Sequence, residues 1–311
     1  MNQNRIEDRA IAAYLGLAIG DSLGATVEFM TPREILFEYG LHDEMIGGGW
    51  LKLPVGQVTD DTTMSFALGR SIIKESGVAP VSVAKSFNQW MRDNPVDIGH
   101  TVRRGIVHYR YSGIPVAPES EAGAGNGACM RTLPIALYAL FLDETTVRLA
   151  SRNQAHVTHN NALSDAGTEC VVFMLRDAIL GASKHSLLNK HVTPLINKFP
   201  EFEFKHQKRE NPSGFIVETL QAVFQAFFNS TNFEKSMIDV INRGGDSDTT
   251  GAILGMLCGA YYGLSSVPNK WLEKLNSEVR QECEQQATQL LELALSLRNQ
   301  LLKTENKVAN G

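Results

Sequence analysis

Apolar residues recur along this chain every three or four positions almost throughout, the spacing of helices that bury one face. No clear pair of strands is visible, and no alternation of strand with helix. The pattern predicts helices over 5–30, 61–75, 82–91, 101–109, 128–142, 144–152 and 161–182. Further helices are predicted over 187–198, 214–229, 233–242 and 249–263, with a long amphipathic stretch over 270–303. Only 215–228, rich in aromatic and β-branched residues, would also suit a strand. Loops rich in Gly, Pro and Asn fall at 46–56, 111–127, 199–213 and 243–245, and none has linker composition. No repeat of fixed period emerges. The expected architecture is all-α: a single compact multi-helix bundle over 1–311, with a core over about 8–263 and a C-terminal helical extension over 264–311. The functional site is expected at the loop-rich end.

The first predicted helix carries Gly16, Gly20 and Gly24 four residues apart. In a bilayer that spacing would mark a dimer face. Asp21 and Glu28 lie in the same stretch, so a tightly packed buried helix is expected instead. The longest apolar run, 252–264, contains glycines and is too short for a hydrocarbon layer of about 30 Å. A polar N-terminus is unlike a secretory signal, and a cytoplasmic location is expected. Cys129, Cys170, Cys258 and Cys283 lie far apart, which fits neither a zinc ribbon nor a disulfide framework; buried thiols are expected. The net charge of −5, with scattered basic residues, argues against a nucleic-acid partner, though a local basic pocket could bind a phosphate.

The sharpest chemical signal is a pair of acidic helix openings. Val58-Thr59-Asp60-Asp61-Thr62-Thr63 precedes one apolar helix, and Arg243-Gly244-Gly245-Asp246-Ser247-Asp248-Thr249-Thr250 precedes another. N-capping and the helix dipole account for one acid per opening. A second carboxylate at each faces repulsion unless a positive charge offsets it. Carboxylates and hydroxyls are hard oxygen ligands suited to Mg2+ or Mn2+ rather than zinc. Four such acids with the Thr59 and Thr249 hydroxyls could hold two ions roughly 3.5–4 Å apart. Capping alone is the competing explanation.

Glu121-Ala122-Gly123-Ala124-Gly125-Asn126-Gly127-Ala128-Cys129-Met130-Arg131 leads into another predicted helix. Its small residues would let backbone N–H groups approach an anion such as a diphosphate. It lacks the Gly-Lys-Ser/Thr of a Walker motif and follows no strand, and a flexible connection would look the same. Asp97, in Asn94-Pro95-Val96-Asp97-Ile98-Gly99, sits in a turn before a helix and could be a cap or a catalyst. His156 and His159, three apart in a predicted loop, do not match the i, i+4 spacing of a helical zinc pair.

Taken in order, these segments resemble the ADP-ribosylglycohydrolase family over about 8–263. The carriers are Gly20-Asp21-Ser22-Leu23-Gly24 with Glu28-Phe29, Gly47-Gly48-Gly49-Trp50, Thr59-Asp60-Asp61-Thr62 and Pro95-Val96-Asp97. They continue with Gly125-Asn126-Gly127-Ala128, Met130-Arg131, Thr158-His159-Asn160 and Gly244-Gly245-Asp246-Ser247-Asp248-Thr249.

The resemblance implies an all-α fold with a dinuclear Mg2+ or Mn2+ centre ligated by Thr59, Asp60, Asp61, Asp246, Asp248 and Thr249. Asn126, Gly127, Ala128 and Met130 would line the diphosphate and ribose pocket, with Glu121 and His159 beside them and Phe215 stacked on adenine. Glu28 would sit near the metals and Asp97 near the scissile ribose; with Asp60 these are the candidate catalytic carboxylates. The implied reaction is hydrolysis of the N-glycosidic bond between ADP-ribose and arginine on a modified protein. The subgroup resembled implies dinitrogenase reductase as that protein, and a PII-type regulatory partner able to recruit the enzyme to a membrane transporter without membrane insertion. The same chemistry on another target, such as a toxin's victim or serine-linked ADP-ribose, is the alternative within the class. A crystallin-like scaffold is the alternative outside it, and four retained acids argue against that.

Overall fold

In a computed structural model the described residues are 3–309, without the side chains at 122 and 304–309. The outermost positions of the expected 1–311 unit, 1–2 and 310–311, lie outside them. Over the described residues the chain is all-helical, with only two isolated β-bridges. The helices are α1 (Gln3–Gly24), α2 (Pro32–Tyr39), α3 (Asp60–Glu75), α4 (Pro80–Arg92), α5 (His100–Ser112), α6 (Gly127–Met130), α7 (Leu133–Tyr138) and α8 (Glu144–Ala155). They continue as α9 (Ala162–Ile179), α10 (Lys184–Leu187), α11 (Thr193–Lys198), α12 (Ile216–Asn229), α13 (Phe233–Ile241), α14 (Ser247–Tyr262), α15 (Asn269–Leu272) and α16 (Ser277–Ala309). All four cysteines are buried and unpaired. No described helix is long and apolar enough to cross a membrane.

The architecture turns on α1 against α14, the most extensive helix–helix contact among the described residues. Both helices are buried nearly all round, and glycines replace side chains where they meet. A Cβ on Gly16 would lie 2.1 Å from the Gly255 carbonyl oxygen, on Gly20 2.0 Å from that of Gly251, and on Gly24 2.2 Å from that of Ser247. As residue numbers rise along α1 they fall along α14, so the two run antiparallel, backbone on backbone. The last turn of α1 therefore sits beside the first turn of α14, which is the key to the site. The glycine spacing thus serves helix contact within one chain.

Several expected helices differ in detail. The 128–142 stretch is two helices, because Pro134 has no N–H to donate and its ring would clash with the Met130 carbonyl. Over 187–198, Leu188–Val192 form a π-helical turn ahead of Pro194, between α10 and α11. The 270–303 stretch breaks before Asn276, whose side chain caps Glu278 and whose N–H donates to Gly56 O at 3.1 Å. The 215–228 segment is helical, burying Phe224 and Phe227. One helix, α2, was not expected, although its signature was readable: Thr31 and Glu34 form a capping box with Pro32 at the first position. Along α16, Cys283, Ala287, Leu290, Leu291 and Ala294 are buried, and the helix lies on α1, α3 and α7.

Gly20→Ala should destabilise the protein by roughly 1–3 kcal/mol or more, the cost of overpacking against rigid backbone. Gly77→Ala, where the nearest atom to an added Cβ is 3.9 Å away, should stay within about 0.5 kcal/mol of wild type. Chemical unfolding midpoints of the two variants check this.

Candidate active site

Three helix ends meet at the loop-rich face. The chain leaving α1 turns through Ala25 to Phe29 and is pinned to the loop entering α14. Phe29 N–H donates to Gly245 O at 2.8 Å, and Gly245 N–H to Met30 O at 2.9 Å. Gly244 and Gly245 have φ of +70° and +67°, and a Cβ on either would strike backbone oxygen at 2.1–2.2 Å, so neither position admits another residue without rearrangement. This joint puts Glu28 beside Asp246 and Asp248, with carboxylate oxygens of all three within 4.8 Å of one another.

Asp21, one turn from the end of α1, brings in the third helix. Its buried carboxylate accepts from Thr59 N–H at 2.9 Å, Thr62 N–H at 3.1 Å and Thr62 Oγ1 at 2.5 Å. That docks the start of α3 on α1 and carries Asp60 and Asp61 into the same cleft. Thr249 Oγ1 lies 3.3 Å from Asp61 Oδ2, and Thr59 Oγ1 lies 3.4 Å from the same oxygen. The sequence reading gave Asp21 no role; a buried acid on an otherwise apolar, glycine-striped helix was the available signal.

The cleft, about 260 Å3, is lined by Glu28, Phe29, Asp60, Asp61, Asp97, Asn126, Gly127, Met130, His159, Asp246, Asp248 and Thr249, among others. Most of the sequence-predicted residues therefore do converge. Thr59 lies beneath Asp61, and Ala128 is buried behind the wall, its carbonyl accepting from Gln154. Glu121 is solvent-exposed on a 3-10 turn outside the cleft lining. Phe215, next in sequence to Gly214 of the lining and bridged to Gly125, is 39% exposed and does not itself line the cleft.

The glycine-rich segment is held rather than loose. Asn126 N–H donates to Gly214 O, Ile216 N–H to Ala124 O, and Ser164 Oγ to Gly125 O. Its glycines also make room for an imidazole: added Cβ atoms on Gly125 and Gly127 would lie 3.0 and 2.7 Å from the His159 ring. Asn126 Nδ2 bridges Asp246 Oδ2 at 2.5 Å and Thr219 Oγ1 at 2.9 Å. His159 Nδ1 pairs with Thr158 Oγ1, which also accepts from Arg131, leaving Nε2 toward the glycines. Burial, and then the Arg131 and Arg104 charges, hold His159 well below its ordinary pKa, so it is neutral. His156 instead pairs with Asp165.

Electrostatics mark the centre as incomplete. Burial pushes Glu28 up to about 8, with repulsion from Asp246, Asp97 and Asp60 adding to it. Burial and the Asp97 and Asp21 charges push Asp60 up to about 7. Asp61 and Asp248 are driven well above the carboxylate range by burial and then by their acidic neighbours. Burial also raises Asp246, and Asp21 to about 6, against the hydrogen bonds each accepts. Asp61 Oδ1 is buried with no hydrogen-bond partner. An orphaned carboxylate oxygen among clustered hard-oxygen donors fits a divalent cation. Capping alone leaves that oxygen unexplained. A larger cleft elsewhere, under Arg148 and Lys190, has those cations paired to Glu169 and Asp177.

An all-helical fold with a carboxylate centre beneath a glycine-lined cleft defines the class: a helical protein whose acids, gathered from three helix ends, could hold a metal ion. The comparisons with known proteins make the class specific. A sequence model described as ADP-ribosylglycohydrolase matches residues 2–301. The ADP-ribosyl-[dinitrogen reductase] glycohydrolase of Rhodospirillum rubrum is 44% identical over 93% of this chain and 97% of its own. An ADP-ribosylarginine hydrolase of Serratia proteamaculans is 32% identical over 88% of this chain and 76% of its own. A solved structure titled ADP-ribosylglycohydrolase-related protein complex superimposes with a TM-score of 0.83 at 34% identity, covering 94% of this chain and 99% of that one. The chain belongs to the ADP-ribosylglycohydrolase family, enzymes that hydrolyse glycosidic bonds.

The raised carboxyls give a signed prediction. Their folded pKa values exceed the unfolded value near about 4, so between about pH 4 and 8 the folded state retains protons that the unfolded state has lost. Metal-free protein should therefore lose stability as pH rises through that window, and a bound cation should cancel the loss. Thermal unfolding in chelator and in saturating Mn2+ should diverge as pH is raised from about 5 to about 8; a gap that stays flat counts against the centre.

Proposed function

We propose that this protein is a Mn2+- or Mg2+-dependent ADP-ribosylarginine hydrolase that reactivates ADP-ribosylated dinitrogenase reductase. The observation that carries the metal and the site is the convergence of Glu28, Asp60, Asp61, Asp246 and Asp248 with an unpartnered Asp61 oxygen. What supports the substrate is the 44% identity to a dinitrogen reductase glycohydrolase and the 32% identity to an arginine-directed hydrolase.

Asp60, Asp61, Asp246 and Asp248, with the Thr59 and Thr249 hydroxyls, would hold two divalent cations, and Glu28 reaches the Asp246–Asp248 side of the same cluster. Such a pair supplies Lewis acidity and a nucleophilic water at neutral pH. The protein's own groups do the rest. The backbone N–H groups of Gly125 and Gly127 with His159 Nε2 would receive the diphosphate, and Phe215, half-exposed beside Gly214, would stack on the adenine. Asn126 orients Asp246 through its amide. Breaking the bond between the ribose anomeric carbon and the guanidine leaves oxygen from water on the carbon and a proton on the departing nitrogen. Asp97, on the cleft wall and partly solvent-accessible, is positioned to pass that proton. A single compact unit over 1–311, a cytoplasmic setting and a PII-type regulatory partner complete the proposal.

Release of ADP-ribose from arginine-modified dinitrogenase reductase should require Mn2+ or Mg2+ and stop in chelator. Asp60→Ala should lower kcat by about 100-fold or more, the scale of losing an electrostatic centre. Release from serine-linked but not arginine-linked substrate would replace the acceptor assignment. No release from either, with folded protein and metal, would overturn the hydrolase reading.

A further inference from the structure

A cleft of about 260 Å3 leaves most of a folded substrate protein outside it. A specific protein interface takes roughly 800 Å2 from each partner. Directly beside the cleft runs a second, wider groove of about 730 Å3, between α2 and the Gly48-Gly49-Trp50 turn. Glu28 and Phe29 line both.

Large aromatic side chains stand exposed along the groove. Phe37 on α2 is 94% exposed, Phe29 65% and Trp50 52%, and all three line the groove; Leu36 and Leu41 are exposed outside its lining. Single exposed apolar residues are common, but a gathering of this kind marks a contact surface. Helix α2 packs Ile35 and, in part, Tyr39 against the protein and turns Leu36 and Phe37 outward. Phe29 has φ of +64°, which an aromatic residue adopts only under constraint, here the hydrogen bonds of the joint before α14. That backbone leaves the ring exposed, with its centroid 5.5 Å from that of Trp50. Trp50 Nε1 in turn donates to Glu28 Oε2 at 2.6 Å, tying the groove to the carboxylate centre. Arg33, Glu34 and Glu38 also line the groove, so charged side chains border its aromatic ones.

We propose that this groove docks the target: an apolar strip on the folded substrate protein, next to its modified side chain, seats against Phe29, Phe37 and Trp50 while the ADP-ribosyl group enters the cleft. The proposal rests on the hydrolase reading above and adds how a whole protein is recognised. Glu28 and Phe29, shared between the two cavities, mark the crossing from nucleotide to polypeptide.

The test compares two substrates that differ only in the polypeptide: arginine-modified dinitrogenase reductase and free ADP-ribosylarginine, each in saturating Mn2+. Phe37→Ser changes an exposed residue away from the carboxylates; Leu149→Ser, exposed on α8, is the control. Phe37→Ser should lower kcat/KM for the protein by about tenfold, as expected for truncating an interface aromatic, and leave the free compound within about twofold. Leu149→Ser should change neither. Equal loss on both substrates, no loss on either, or a wild type that cleaves both with equal kcat/KM would overturn the docking role. So would a shift from dimer to monomer on Phe37→Ser without change in the substrate ratio, which would assign the groove to a second copy of this chain. If wild type cleaves neither substrate, the hydrolase reading itself has failed, an outcome separate from all of these.

Discussion

Everything at the site depends on two helices touching backbone to backbone. Because Gly16, Gly20 and Gly24 carry no side chains toward Gly255, Gly251 and Ser247, α1 and α14 approach closer than any other residues would allow. Their antiparallel course then places the exit of one at the entrance of the other. Glu28 belongs to that exit and Asp246 and Asp248 to that entrance, so residues more than two hundred positions apart share a cluster. Asp21 extends the logic to α3 by accepting from both ends of its first turn. A side chain added in the glycine stripe would do more than loosen the core, because it would shift the carboxylates relative to each other.

The second constraint is charge. The fold buries Glu28, Asp60, Asp61 and Asp248 around a cleft, with Asp246 half-buried beside them, and surrounds them mostly with each other. Two helix N-termini and the buried Arg131 provide some positive potential, yet Glu28 at about 8 and Asp60 at about 7 show how little of the repulsion they offset. A chain folds around such a cluster at a cost in stability, and a tightly held divalent cation removes that cost by mass action. The feature that weakens the protein is the feature that could hold a divalent cation. Hydrogen bonds from Asn126, Trp50 and Thr249 steady the same acids, so their geometry is set from several directions.

Local chemistry was readable in the sequence; long-range assembly was not. The doubled acids at 60–61 and 246–248 stood out because a single cap explains only one acid per helix. The glycine run from 123 to 127 was visible, but its flexible appearance was misleading, since its stiffness comes from partners at 164, 214 and 216. The break at Pro134 was visible in one residue and was overridden by the apolar pattern around it. Nothing local to Asp21 reveals that it holds Thr59 and Thr62, nor does anything near Trp50 reveal Glu28. Those pairings exist only once α1 has packed on α14 and the loops have closed over the joint. Glu121, in the same motif-bearing segment, stands exposed outside the cleft lining, a placement that sequence position alone does not reveal.

The most direct measurement is anomalous diffraction from crystals grown with Mn2+, because it reads the centre without reference to any substrate. The account predicts density within ligation distance of Glu28, Asp246 and Asp248 and beside Asp60 and Asp61, with Asp61 Oδ1 no longer unpartnered. Crystals that diffract well but show no manganese in this cleft, or show it only at surface acids, would contradict the claim that these three helix ends were brought together to hold a cation.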